Sequence, residues 1–172
     1  FYFRGNLDLL STPAISIVGT RKASPEGVLR AEKLTRGLVE NGLTIVSGLA
    51  LGIDTAALET AISMGGRTVA VIGTPIDQYY PKENKKLQDK IAQDHLLISQ
   101  VPFYRYTHEP FIAHKGHFPR RNVTMAAISE ATVIVEASDT SGTLIQARAC
   151  IQQRKKLFIL ESCFSNPSIK WP

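Results

Sequence analysis

Cysteine is scarce in this sequence, and long apolar segments are missing from it. The two cysteines, Cys150 and Cys163, have no CxxC motif and no Cys/His ligand spacing around them, which argues against a disulfide scaffold or a zinc site and favours a reduced, cytoplasmic protein without a metal or other cofactor. No apolar run approaches the roughly 20 residues that span a bilayer. The first residues lack the apolar region and cleavage site of a signal peptide. We therefore expect no membrane partner and a segment cut from a longer chain.

Several nucleotide-binding and catalytic motifs are also missing. The sequence after the first apolar run is GTRKASPEG, which contains neither a G-x-G-x-x-G fingerprint nor a Walker A lysine, so NAD-type and P-loop chemistry are disfavoured. A G-x-S-x-G elbow is absent as well, and Ser47 has no identifiable base to make it a nucleophile. We expect a protein that is not an enzyme.

The chain is long and apolar enough to form one ordinary globular domain. It has 172 residues, of which 44% are hydrophobic, and its 20 lysines and arginines against 15 acidic residues give a net charge of +5 and an isoelectric point near 9.3. A core of that size fits one domain better than two. The positive charge favours a polyanionic partner without identifying it.

Apolar, β-branched runs alternate with helical patterns along the sequence. Strands are predicted over 14–19, 44–46, 67–72, 96–98, 132–135 and 157–160, and helices over 25–40, 54–62, 84–93, 121–128 and 144–153. This alternation predicts a doubly wound, Rossmann-like α/β fold with a mainly parallel sheet and helices on both faces. Residues 1–13 are predicted to be an irregular lead-in, and 100–119 a long functional loop or flap.

Three of the predicted strands end in a glycine, namely Gly19, Gly48 and Gly73. Since ligands of such folds bind beyond the carboxyl ends of the strands, near a switch in strand order, we expect a composite site at that edge. The segment SGLALGID, with Asp54 as a predicted helix N-cap, could present backbone amides to a phosphate or could need its glycines for turn geometry alone. The sequence leaves both interpretations open.

Basic and aromatic residues are interleaved in the least regular segment. Between Tyr104 and Arg121 the chain carries four aromatic and seven basic or histidine residues, a mixture that single-stranded nucleic acid requires because cations hold phosphates while rings stack on unpaired bases. A solvated loop with its aromatics in the core is the alternative. The histidines lack metal-ligand spacing, so surface or hydrogen-bonding roles are predicted for them.

Five separated segments carry a family resemblance. AISIVGTRKASPEG, TIVSGLALGIDTAA, TVAVIGTPIDQYYPKENKKL, FPRRNVTMAAIS and VIVEASDTSGTLIQARA together resemble the Rossmann-type core of the DNA processing protein A family, also called Smf. The resemblance covers nearly all of residues 1–172. It implies single-stranded DNA binding, loading of a RecA-type recombinase during DNA uptake and recombination, and homodimerisation.

The resemblance also implies a set of DNA-binding residues. By motif position, the family's DNA pocket corresponds here to Arg21, Lys82, Lys115, Phe118, Arg121 and Asn122. The loops themselves add Lys22, Ser47, Gly48, Gly73 and Arg120 as candidates. The chain departs from the family pattern at Val123, where a cation is common, and Arg120 is expected to compensate.

A nucleotide-binding or phosphoribohydrolase-type enzyme of the lysine-decarboxylase-like group is the alternative. That group is similar in fold and has a catalytic glutamate after a glycine-rich turn, near the place of Gln146. An amide cannot act as a carboxylate base or stabilise an oxocarbenium charge, so hydrolysis is the less favoured function.

Overall fold

The computed structural model describes residues 1–137 and 142–164, and within them the strands form one seven-stranded sheet. Its order is β1-β5-β4-β3-β2-β6-β7, and every neighbouring pair is parallel except β1 and β5. The strands are β1 Tyr2–Gly5, β2 Ala14–Val18, β3 Thr44–Ser47, β4 Thr68–Ile72, β5 Leu96–Ser99, β6 Ala131–Ile134 and β7 Lys156–Ile159. The predicted mainly parallel sheet is confirmed.

Helices cover both faces of this sheet. They are α1 Pro25–Glu40, α2 Ile53–Ser63, α3 Lys85–Asp94, α4 Phe103–His108, α5 Phe111–His114, α6 His117–Ala127 and α7 Thr143–Gln152. Because strand side chains alternate between faces, Ile45 packs on the side of α1 and α2, whereas Val46 packs on the side of Met125 of α6. Within the described residues, no helix is long and apolar enough to cross a membrane.

The predicted start and end of α1 are confirmed. Ser24 is the N-cap, and its hydroxyl accepts a hydrogen bond from Gly27 N at 2.9 Å, with Pro25 as the first helical residue. The helix ends at Glu40, with Asn41 as its C-cap, and Gly42 follows with a φ of 73°, a conformation that glycine adopts without strain. These caps fix the direction in which α1 leaves the end of β2.

The predicted irregular lead-in over 1–13 is wrong. Tyr2–Gly5 forms β1, which pairs antiparallel with β5, and Leu7–Ser11 forms a 3-10 turn. All four residues of β1 are exposed, so the strand carries no alternation of buried and exposed residues that the sequence pattern could reveal.

The predicted loop over 100–119 is instead mostly helical. It forms α4, α5 and the start of α6. Pro102 and Pro110 suggested breaks, but both are N-cap residues that directly precede a helix. A proline there removes no hydrogen bond of the helix, because N–H groups at that end have no intrahelical acceptor. Two aromatic residues of this segment are paired with histidines, since Tyr104 stacks on His108 at 4.0 Å and Tyr106 stacks on His114 at 3.8 Å between ring centroids.

Two parts of the sequence-based interpretation lie outside the described residues. Residues 138–141 belong to the last of the five family-like segments, and residues 165–172 follow the 3-10 turn Glu161–Cys163.

Candidate nucleic-acid interface

A cleft that is open to solvent lies at the carboxyl edge of the sheet. It is lined by residues from the loops after β2, β3 and β4 and from α6: Arg21, Gly48, Ala50, Leu51, Tyr80, Pro81, Phe118 and Arg121. Parallel strands bring these loops together because their carboxyl ends share one edge. Of the predicted site residues, Arg21, Gly48, Phe118 and Arg121 therefore meet in one place.

Arg21 and the ring of Phe118 lie against each other in the cleft. The guanidinium carbon of Arg21 lies 5.6 Å from the ring centroid of Phe118, within the range of a cation–π contact. Arg21 is exposed and Phe118 half-buried. A Cβ on Gly73 would lie 2.6 Å from Cδ1 of Phe118, so Gly73 is needed for the ring to pack on the end of β4 and does not itself open the backbone to a ligand.

Arg121 lies beneath the cleft and is only 6% exposed. Its Nη1 donates a hydrogen bond to the carbonyl oxygen of Val71 at 3.2 Å and lies 3.9 Å from Oδ2 of Asp54. A Cβ on Gly48 would come within 1.3 Å of this Nη1. Gly48 is therefore required for the guanidinium to reach its buried position, and the space beside its Cα holds Arg121 and not a phosphate.

The backbone amides of the loop after β3, a possible phosphate site, are bound by the side chain of Asp54. Its Oδ2 accepts hydrogen bonds from Gly48 N at 3.1 Å and from Ala50 N at 3.4 Å. Burial raises the pKa of Asp54, while Arg121 and the loop amides oppose that rise. Burial also lowers the pKa of Arg121, with Asp54 opposing. The prediction that Asp54 is the N-cap of α2 is wrong, since Gly52 occupies that position.

Ser47 lies in the core and not in the cleft. It is fully buried, and its hydroxyl donates a hydrogen bond to the carbonyl oxygen of Ile17 at 2.7 Å. The hydroxyl therefore ties β3 to β2 and is not available to a ligand, so the prediction that Ser47 contacts DNA directly is not supported by its position.

The switch in strand order lies between β2 and β6, and the side chain of Glu136 occupies it. Ser24 donates to the Glu136 carboxylate twice, from its backbone N at 3.1 Å and from its hydroxyl at 2.6 Å. A carboxylate is thus already bound at the positive, amino-terminal end of α1. The open cleft lies beside this switch, over β2 to β4, and not at the switch itself.

The remaining predicted cations do not line the cleft. Lys22 and Lys82 each follow a lining residue in the chain, and Lys115 and Arg120 lie just before and on α6, the helix that supplies Phe118; all four are exposed. Asn122 is half-buried, and its Nδ2 donates to the carbonyl oxygen of Gly142 at 2.9 Å. It therefore joins α6 to the start of α7.

Sequence reasoning missed the apolar part of the cleft, which consists of Ala50, Leu51, Tyr80 and Pro81. Of these residues, Tyr80 could best have been predicted from the sequence. It lies in one of the five family-like segments, two residues before Lys82, which was predicted to bind DNA. Its ring centroid lies 5.4 Å from that of Phe118.

Three of the four histidines, His108, His114 and His117, make side-chain hydrogen bonds. His117 is buried and bonded to Glu109, and this bond is the main cause that lowers the pKa of Glu109. Nε2 of His114 lies 2.9 Å from the carbonyl oxygen of Tyr106, whose own pKa is raised mainly by burial. Residues 1–137 and 142–164 contain no cluster of three or more His, Cys, Asp or Glu side chains that could hold a metal ion.

Comparisons with known proteins all indicate the same family. A family model described as DNA recombination-mediator protein A matches residues 1–170. The chain is 44% identical over 159 residues to DNA processing protein DprA of Streptococcus pneumoniae, covering 92% of this chain and 54% of that protein. It is 37% identical over 163 residues to protein Smf of Synechocystis, covering 92% and 39%. The chain thus spans about half, or less, of the length of these relatives.

Solved structures give the same likeness. The X-ray structure of the Streptococcus pneumoniae protein superposes with a TM-score of 0.82, covering 91% of this chain and 53% of that chain. DNA processing protein A of Helicobacter pylori, whose structure describes its mode of single-stranded DNA binding, superposes with a TM-score of 0.79 at 35% identity, covering 92% of this chain and 70% of that chain.

Proposed function

The chain belongs to the DNA recombination-mediator protein A family, and on that basis we propose that it binds single-stranded DNA through the cleft at the carboxyl edge of its sheet. The observation that carries this proposal is the pairing of exposed Arg21 with the ring of Phe118 inside an open cleft. A cation beside an aromatic ring suits a strand whose phosphates and unpaired bases are both accessible.

Side-chain cations, and not backbone amides, would hold the phosphates. The two amide sites that could have bound an anion are taken by Asp54 and Glu136 of the chain itself. We propose that exposed cations take this part: Arg21 lines the cleft, Lys22 and Lys82 each follow a lining residue in the chain, and Lys115 and Arg120 lie before and on α6. Such contacts are independent of base sequence and weaken as salt rises.

Arg121 has a separate part in this proposal. Its guanidinium is buried, and its Nε has no hydrogen-bond partner among the described residues. It supplies positive charge at the base of the cleft and holds the loop after β3 in place through Asp54. Ser47, Gly48, Gly73 and Asn122 act in the same indirect way, by shaping the loops that present the exposed cations and Phe118.

Recombinase loading and self-association extend the proposal to the whole protein. A recombination mediator acts on DNA together with a recombinase. We therefore propose that this chain acts in the cytoplasm as a homodimer and loads a RecA-type protein onto the strand it binds. The family description and the relatives named above support this role. Sedimentation of the DNA complex with and without a RecA-type protein tests it.

The hydrolase alternative has little support from the site. Gln146 is fully buried, and its Nε2 donates to the hydroxyl oxygen of Thr132 at 3.1 Å. It is not among the residues that line the cleft. A buried amide away from the cleft offers no base for a glycosidic bond, so we favour binding without hydrolysis.

Fluorescence anisotropy with short labelled strands tests the proposed function. Arg21→Ala and Lys82→Ala should weaken binding to strands of every base composition, because phosphates are common to all of them. Arg36→Ala is the matched control, since Arg36 is exposed in the last turns of α1, toward the opposite edge of the sheet. Equal affinities for wild type, Arg21→Ala and Arg36→Ala would contradict the proposal, as would release of free base from nucleoside monophosphates.

A further inference from the structure

Tyr80 is an exposed aromatic residue that the core does not explain. It is 49% exposed and lines the cleft, where its ring meets Phe118 at 5.4 Å between centroids and an interplanar angle of 52°. An exposed aromatic side chain is unremarkable by itself. Its position inside a cleft that also holds Arg21 calls for a functional explanation.

The ring of Phe118 is already surrounded by the protein. Gly73 packs so closely on it that an added Cβ would lie 2.6 Å from Cδ1, the guanidinium of Arg21 lies 5.6 Å from its centroid, and Tyr80 contacts it at 5.4 Å. Phe118 is half-buried, in contrast to Tyr80. The aromatic surface that a ligand can reach is therefore mainly that of Tyr80, with Phe118 as its support.

The loop that carries Tyr80 is anchored to α3 by hydrogen bonds of the two preceding residues. The hydroxyl of its neighbour Tyr79 donates to Oδ1 of Asp89 on α3 at 2.7 Å, and Gln88 Nε2 donates to the carbonyl oxygen of Gln78 at 2.9 Å. Two adjacent tyrosines thus have different partners, Tyr79 on α3 and Tyr80 in the cleft. Such anchoring lowers the entropic cost of stacking a ligand on the ring.

We propose that Tyr80 is the stacking platform for one unpaired base, while Phe118 positions it and the surrounding cations hold the neighbouring phosphates. This inference rests on the proposed single-stranded DNA binding. The other apolar residues that line the cleft, Ala50, Leu51 and Pro81, suit the flat, weakly polar faces of a nucleobase better than a bare phosphate.

Binding to normal and abasic strands separates stacking from phosphate contact. Tyr80→Ala and Tyr80→Leu should each bind a normal oligonucleotide about 5- to 160-fold more weakly than wild type, as expected for one lost base–aromatic stack. Both variants should bind a fully abasic strand like wild type. Tyr80→Phe, which keeps the ring, should bind both strands like wild type, and Arg21→Ala should weaken both.

A matched control and a spectroscopic readout complete the test. Tyr104→Ala removes another exposed tyrosine, 76% exposed and stacked on His108 away from the cleft, and should leave affinity unchanged. Fluorescence of a 2-aminopurine strand should be quenched on binding by wild type and by Tyr80→Phe, and much less by Tyr80→Leu.

Two results would overturn the inference, and they differ from failure of the proposed function. If Tyr80→Leu binds normal strands like wild type, or weakens abasic and normal strands by the same factor, Tyr80 does not stack on a base. If wild type itself binds no oligonucleotide, the proposed function fails and the inference fails with it. Melting temperatures within about 4 °C of wild type, equivalent to roughly 1–2 kcal/mol for a chain of this size, identify variants that fold normally.

Discussion

Replacing Arg121 with methionine tests the role of the buried ion pair under the cleft. The substitution keeps an aliphatic side chain but removes the guanidinium, which leaves Asp54, 4% exposed, without the cation 3.9 Å away. Removing one partner of a buried pair costs about 3–5 kcal/mol. At about 2–4 °C of melting temperature per kcal/mol for a chain of this size, the expected loss is about 6–20 °C.

A double-mutant cycle isolates the interaction from the other contacts of each residue. Asp54→Asn keeps an amide oxygen that can still accept from Gly48 N or Ala50 N, whereas it removes the negative charge. The double variant Asp54→Asn/Arg121→Met should therefore lose less stability than the sum of the two single losses, by about 0.5–3 kcal/mol.

Urea unfolding monitored by circular dichroism, without DNA, measures each free energy of unfolding at a constant m-value. A loss below about 1 kcal/mol for Arg121→Met, of the size expected for an exposed ion pair, would refute the reasoning. Additive effects in the cycle would refute it equally.

Three further substitutions test the loops around the cleft. Gly73→Ala places a Cβ 2.6 Å from Cδ1 of Phe118 and should weaken oligonucleotide binding, whereas Gly37→Ala, whose Cβ would meet nothing within 4 Å, should not; equal affinities would contradict this packing. Glu136→Ala removes the charged acceptor at the first turn of α1 and should lower the free energy of unfolding by about 1.5–3 kcal/mol. A change below about 0.5 kcal/mol in chemical denaturation would count against that contact. The pKa of Glu109 is lowered in the folded protein. Its contribution to the free energy of unfolding is therefore fully present above the unfolded pKa of about 4.3 and is lost as pH falls through the folded pKa. Melting curves from pH 6 to pH 3 should show Glu109→Gln less stable than wild type at pH 6, with a difference that shrinks as pH falls; a difference that stays constant with pH would disprove this.

The parallel sheet could be predicted because each of its buried strands has a recognisable local sequence pattern. Runs such as Thr44–Ser47 and Thr68–Ile72 are β-branched, fully buried and bounded by glycines, the pattern of strands covered on both faces. The exposed edge strand β1 has no such pattern. The short helices α4 and α5 were not predicted, because a proline can stand just before a helix as well as just after one, and the sequence alone does not distinguish the two cases.

The location of the candidate site could be predicted from the sequence, but the contacts that each of its residues makes could not. Arg21 and Phe118 were expected in one pocket, and they lie in one cleft. The sequence did not reveal that the amide sites are filled by the chain's own carboxylates. Glu136 reaches Ser24 across 112 residues, a long-range contact that no local spacing encodes. The sequence likewise could not distinguish an exposed arginine from the buried Arg121.

The salt dependence of strand binding tests the central claim most directly. Anisotropy titrations of a labelled single strand at several NaCl concentrations give the slope of log K against log salt. The proposal predicts a steep negative slope for wild type and for Arg36→Ala, reduced in size by about 0.7 in Arg21→Ala for the one phosphate contact that it loses. A slope near zero for wild type, or the same slope for Arg21→Ala and Arg36→Ala, would contradict a phosphate-binding cleft at the carboxyl edge of the sheet.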